Sequence, residues 1–181
     1  MYVFLAWLPM YLTEVHNMSL KSMGFWASCP WISLMAMVFL AGFVSDKIAN
    51  GSHSEMQYKM RTVTAMAGVA VTSLGLYIAS HTADPAMNIF WMSVSLGALG
   101  FAMSASWSSV ISLGGKYTGS VSGWTNLWGN IGGVLAPIVT AFFVTNYGWN
   151  NAFTATSLFG IIAIVAWIFV KPGKQLVPQD K

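Results

Sequence analysis

The 181-residue sequence predicts an all-α integral membrane protein, on three observations. Charge is scarce: eight Lys or Arg and five Asp or Glu make up 7% of the chain, where soluble domains carry about 25%. Apolar residues reach 56%, and mean hydropathy is +0.63. The charges are also clustered, leaving uncharged runs over 1–13, 22–45, 62–83, 85–115 and 117–170 that together hold 144 residues. A soluble fold of this size has nowhere to hide so much apolar sequence, because its surface needs charge. A spanning helix needs about 20 apolar residues, and four of the runs reach that length.

Each element follows from these runs. Residues 1–13 contain Pro9 and are too short to cross ~30 Å of hydrocarbon at about 1.5 Å per residue, so a partial first helix is expected. A span over about 23–45 ends at Gly42-Phe43-Val44-Ser45, before Asp46-Lys47. The next, 62–80, is closed by His81-Thr82-Ala83-Asp84-Pro85, and another runs over 88–112. The 54-residue run 117–170 exceeds one helix. It breaks at Asn146-Tyr147-Gly148-Trp149-Asn150-Asn151, a polar, glycine-containing turn signal, giving spans over 118–144 and 151–170 and a tail over 171–181. The expected architecture is five complete spans and a truncated first one, the C-terminal part of something larger.

Alternate connections then fall on alternate sides. Lys47, Lys59, Arg61, Lys116, Lys171, Lys174 and Lys181 share one side, and the other has only Lys21. This imbalance places the C-terminus in the cytoplasm of a plasma membrane, a bacterial inner membrane being the expected setting. The net charge of +3 thus reflects loop bias rather than nucleic-acid binding.

Chemistry-bearing residues are few. Every charged residue, with His16, His53 and His81, falls outside the expected spans, and the histidines read as solvated loop residues. There is no HExxH, no paired carboxylate and no Cys/His set with metal spacing, and Cys29 is the only cysteine. Gly114-Gly115-Lys116-Tyr117 lacks the spacing and hydroxyl of a phosphate loop. No enzyme chemistry, metal or cofactor is expected. The exceptions are neutral polar residues within spans: Ser104, Ser106, Trp107, Ser108 and Ser109, then Asn126 and Asn130, which share a helix face at i,i+4. Lipid offers them no partner, so they serve either as bonds between helices or as a cavity lining. Ser108 and Ser109 read as the former; Asn126, between Trp124 and Trp128, fits both. Gly119/Gly123 and Gly129/Gly133 are GxxxG pairs which, with Pro137, suggest a helix that packs tightly and bends within a bundle. The rival is a small assembly protein that associates through these glycine faces and tolerates Asn126→Leu and Trp107→Ala.

These residues, in order, resemble the C-terminal half of a major facilitator superfamily transporter of the anion:cation symporter branch, which includes hexuronate, galactonate and phthalate carriers. Ala6-Trp7-Leu8-Pro9-Met10-Tyr11-Leu12 is similar to that branch's T-W-L-P-T-Y-L. Gly24-Phe25-Trp26-Ala27-Ser28-Cys29-Pro30 resembles G-F-x-A-S-L-P, and Gly42-Phe43-Val44-Ser45-Asp46-Lys47 resembles G-x-x-S-D-[KR]. Ser122-Gly123, Asn126, Gly129-Asn130, Gly133 and Pro137 resemble S-G-x-x-N-x-x-G-N-x-x-G-x-x-x-P. The resemblance implies alternating access between two six-helix halves, with a small organic anion such as a sugar acid bound between them in symport with a proton. It implies substrate contacts at Ser104, Ser106, Trp107 and Asn126, and a cytoplasmic gate at Gly42, Asp46 and Lys47. The arginine and proton-titrating carboxylates of such carriers lie in the other half. This half is therefore expected to help bind an anion but to load no proton, and to transport nothing alone.

Overall fold

The computed structural model describes residues 1–51 and 54–171; the side chains of 46–51 and of 54 lie outside the described set. The described residues are helix joined by short turns, without strands. Helix α1 is Tyr2–Glu14, α2 Leu20–Gly51, α3 Ser54–Ser80, α4 Pro85–Gly114 and α5 Thr118–Ile168, with a single 3-10 turn over Gly115–Tyr117. Stretches Leu20–Ser45, Glu55–Ser80 and Pro85–Ile168 are long and apolar enough to cross a membrane.

Local chemistry sets the ends. Asp84 caps α4, its carboxylate accepting from the Met87 N–H at 2.8 Å, and Pro85 fills the first helical position, where no N–H is needed. Gly115, at φ 50° and ψ −124°, stops α4 in a conformation that disfavours a side chain. Within α5 the backbone leaves the helix at Gly148 (φ 79°, ψ 171°), inside the 146–151 turn signal, so α5 is two limbs, 118–147 and 149–168. Helix α3 starts eight residues before the uncharged run. Lys59 and Arg61, read from sequence as loop residues, therefore ride on a helix.

Helix α4 is the centre. It meets α3 along a seam of small residues: a Cβ on Gly68 would lie 2.8 Å from Ala102 Cβ and 2.9 Å from the Ala98 carbonyl oxygen. One on Gly75 would lie 3.2 Å from Ser95. Along this seam Thr72 Oγ1 donates to the Ser95 carbonyl at 3.1 Å, and Ser95 Oγ returns a bond to the Thr72 carbonyl at 2.8 Å. Each hydroxyl is thus satisfied where lipid offers no partner. Gly97 and Gly100 admit Ser33 and Leu34 of α2 in the same way, and Ser73 of α3 sits against Gly160 in the second limb of α5. Phe25, Ile32, Phe39 and Phe43 on α2 stay exposed, an apolar stripe suited to acyl chains rather than water.

Candidate functional site

The polar residues singled out by sequence fall in two places. The first limb of α5 stands at the edge of the bundle, and every residue from 123 to 132 is exposed. Helix α1 leans on it: Tyr2 Oη donates to Asn130 Oδ1 at 3.2 Å, and Trp7 Nε1 donates to the Pro137 carbonyl at 3.2 Å. Asn130 Nδ2 turns back to the Asn126 carbonyl at 2.8 Å. The side-chain amide of Asn126 has no hydrogen bond among the described residues, and the rings of Trp124 and Trp128 stand edge-to-face 5.8 Å apart on the other side of the limb. Two asparagines and two exposed indoles thus face away from the chain's own core.

On α4, Trp107 is 42% exposed. Ser106 Oγ donates to the Ala102 carbonyl at 2.8 Å, leaving an acceptor but no free proton. Ser104 points elsewhere, lining a small cleft of about 30 Å³ between α2, α3 and α4 with Ala41, Arg61 and Phe101. Positions 104 and 106 lie about 200° apart around a helix, so one face cannot present both. Among the described residues, no hydrogen bond links Ser104, Ser106 or Trp107 to Asn126.

Of the four GxxxG glycines, only Gly133 is packed within the chain, with the Tyr2 ring 2.7 Å from where its Cβ would be. Around Gly119, Gly123 and Gly129 an added Cβ meets nothing within 4 Å among the described residues. The tight approach expected of them is instead made by Gly68, Gly75, Gly97 and Gly100, which no GxxxG spacing marks. At Gly42 a Cβ meets nothing within 4 Å either, while the side chains of Asp46 and Lys47 lie outside the described residues.

Two residues escape the sequence reading. Half-buried Arg61 reaches α4, donating Nη1 to the Ser108 carbonyl at 3.5 Å and to the Ser112 hydroxyl, with its guanidinium 5.7 Å above the Tyr58 ring. The run boundary at Arg61 and Ser112, 51 residues on, gave no sequence cue to pair them. His16, read as solvated, is half-buried instead: its Nε2 is sealed from solvent, and the ring stands edge-on to Tyr11, centroids 5.4 Å apart. Burial pushes its pKa below the ordinary 6.5, opposed by the Asn88 side chain and the Asp84 charge. His81, by contrast, is exposed.

Long apolar rods with a lipid-facing stripe, and a polar row on an edge helix, define a multi-pass membrane protein. The chain belongs to the Major Facilitator Superfamily, whose family profile matches residues 1–137. It is similar to the D-galactonate transporter of Escherichia coli O6:H1, at 28% identity over 171 residues, 94% of this chain and 39% of that protein. It is 25% identical to the probable chloroplastic anion transporter 3 of Oryza sativa subsp. japonica over 177 residues, 97% of the chain and 34% of the relative. With the chloroplastic ascorbate transporter of Arabidopsis thaliana it shares 23% over 176 residues, 97% and 32% respectively. These relatives are named as transporters rather than enzymes, and the chain spans about a third of their length.

Proposed function

We propose that this chain is one six-helix wall of a secondary active transporter that carries a small organic anion, such as a sugar acid, in symport with a proton. The observation that carries the reading is the exposed pair Asn126 and Asn130, set on one face of the limb by their i,i+4 spacing. A free amide on a membrane helix needs a wet or polar counterpart, and an amide suits the hydroxyls of a hydroxylated carbon chain. Asn126 and Trp107 contact the anion, Ser106 accepts from one of its hydroxyls, and Ser104, on the opposite side of α4, serves from the cleft it lines. Gly42, Asp46 and Lys47 form the gate turn. A second six-helix bundle, in this or another polypeptide, closes over the row and supplies the proton-carrying carboxylates. The C-terminus is cytoplasmic in a plasma membrane; the naming of plant relatives as chloroplastic makes an organelle envelope the other setting.

The test is uptake of labelled galactonate into proteoliposomes holding the complete two-bundle assembly, with an imposed proton gradient. Asn126→Leu is expected to lower uptake about tenfold, the equivalent of one or two lost hydrogen bonds. Unchanged uptake in both Asn126→Leu and Trp107→Ala sinks the proposal. It also favours the reading as an assembly protein, which the open space around Gly119, Gly123 and Gly129 supports. That reading expects Gly123→Ile to abolish helix-to-helix cross-linking.

A further inference from the structure

Away from the polar row, one cluster has no part in the transport reading. It lies at the end of the bundle where α1 stops, α4 starts and the second limb of α5 begins. Asn88, wholly buried on α4, donates Nδ2 to Tyr11 Oη and to the Ala79 carbonyl, both at 2.7 Å, and to the Thr82 carbonyl at 3.4 Å. Its Oδ1 is buried without a hydrogen bond among the described residues, and so is Nε2 of His16, which interacts with the Asn88 side chain. Two unsatisfied buried polar atoms in one cluster are uncommon. Aromatic rings seal the site: Phe153 and Trp149 stand 4.8 Å and 5.4 Å from Tyr11. His16 occupies the turn between α1 and α2, where Asn17 takes the left-handed conformation at φ 51°.

We propose that His16 is a proton-binding latch: neutral, it docks the α1–α2 turn against Tyr11 and Asn88; protonated, it leaves the site and frees that end of the bundle. The neutral ring can present Nε2–H to Asn88 Oδ1 with a small shift, so closure needs no charge. A second proton places a cation in a poorly solvated site. The charged and titratable groups around it give little compensation. From α1 come Tyr11, already engaged with Asn88, and Glu14, whose carboxylate accepts from Trp149 Nε1 at 2.9 Å. From the α3–α4 turn comes Asp84, spent on its cap; α4 offers Asn88, the second limb of α5 offers aromatic rings, and Lys21 on α2 is exposed. Neither carboxylate forms an ion pair with the ring among the described residues.

The sign follows from burial. The closed site holds a proton less tightly than water does, so closure is complete above the ordinary value of 6.5 and is lost as the pH falls from there through the lowered one. The latch is independent of what the protein carries, and its test uses no substrate.

The experiment places a spin label through Val15→Cys in a Cys29→Ser background, with the full chain in lipid nanodiscs. Label mobility is read from about pH 8 to about pH 5, and His16 is titrated by NMR alongside. The mobile fraction is expected to rise severalfold with the same midpoint as His16, below 6.5. His16→Gln holds the fraction low at every pH. Asp84→Asn keeps the cap but removes the charge that favours the protonated ring, so its midpoint moves lower still. A His16 midpoint at or above 6.5, a mobility rise that persists in His16→Gln, or an unmoved midpoint in Asp84→Asn overturns the latch. Because the Asp84 arm keeps His16, it decides the matter even if the glutamine variant fails to fold.

Discussion

Replacing Gly68 by alanine puts one methyl group into the seam between α3 and α4. At 2.8 Å from Ala102 Cβ and 2.9 Å from the Ala98 carbonyl oxygen, that methyl sits well inside van der Waals contact. Neither neighbour is a flexible tip that can swing away, so the two helices must part by several tenths of an ångström. Overpacking of this kind costs about 1–3 kcal/mol, offset by the roughly 0.5–1 kcal/mol that alanine gains over glycine inside a helix. A net loss of about 1 kcal/mol remains, roughly a fivefold drop in the folded fraction. Gly119→Ala is the control, since its methyl meets nothing within 4 Å and keeps the propensity gain. The assay is reversible unfolding in mixed micelles titrated with denaturing detergent. Equal stability of the two variants, or Gly119→Ala as the weaker, refutes the seam as the place of closest packing.

Other outcomes follow from the same contacts. Asn88→Ala strips a buried donor from Tyr11 and from the Ala79 carbonyl, and is expected to cost about 2–3 kcal/mol in the same titration. Arg61→Met keeps an unbranched apolar stem but loses the bonds to Ser108 and Ser112. With the site half open to solvent the loss is about 1 kcal/mol, and thiol labelling of a cysteine placed at Ser112 should quicken. The uptake of Asn126→Leu and the acid response of His16, described above, complete the set.

The all-helical class was legible because lipid leaves so few solutions: a chain with 144 residues in uncharged runs must satisfy its backbone internally. Tertiary neighbours were not legible. GxxxG spacing says that a helix can be approached closely, not that anything approaches. Gly119, Gly123 and Gly129 are open, while Gly68 and Gly75, seven apart, meet α4. His16 looked like a turn residue because it is one; its burial comes from Tyr11 of α1 and Asn88 of α4, brought together by the fold. Ser104 and Ser106 were grouped by proximity in sequence, whereas helical geometry sends them to opposite sides. Asn126 was marked by its chemistry, and the structure leaves its amide without a partner among the described residues.

The reciprocal Thr72–Ser95 bonds bear on how the chain is made. A hairpin whose Thr72 and Ser95 hydroxyls donate to each other's backbone brings fewer unmet polar groups into hydrocarbon, and its contacts are close in sequence, which favours early formation. The segment from Ser54 to Gly114 can therefore enter the bilayer as one finished piece during synthesis. It then offers a ready template on which the earlier helices and the long bent one settle.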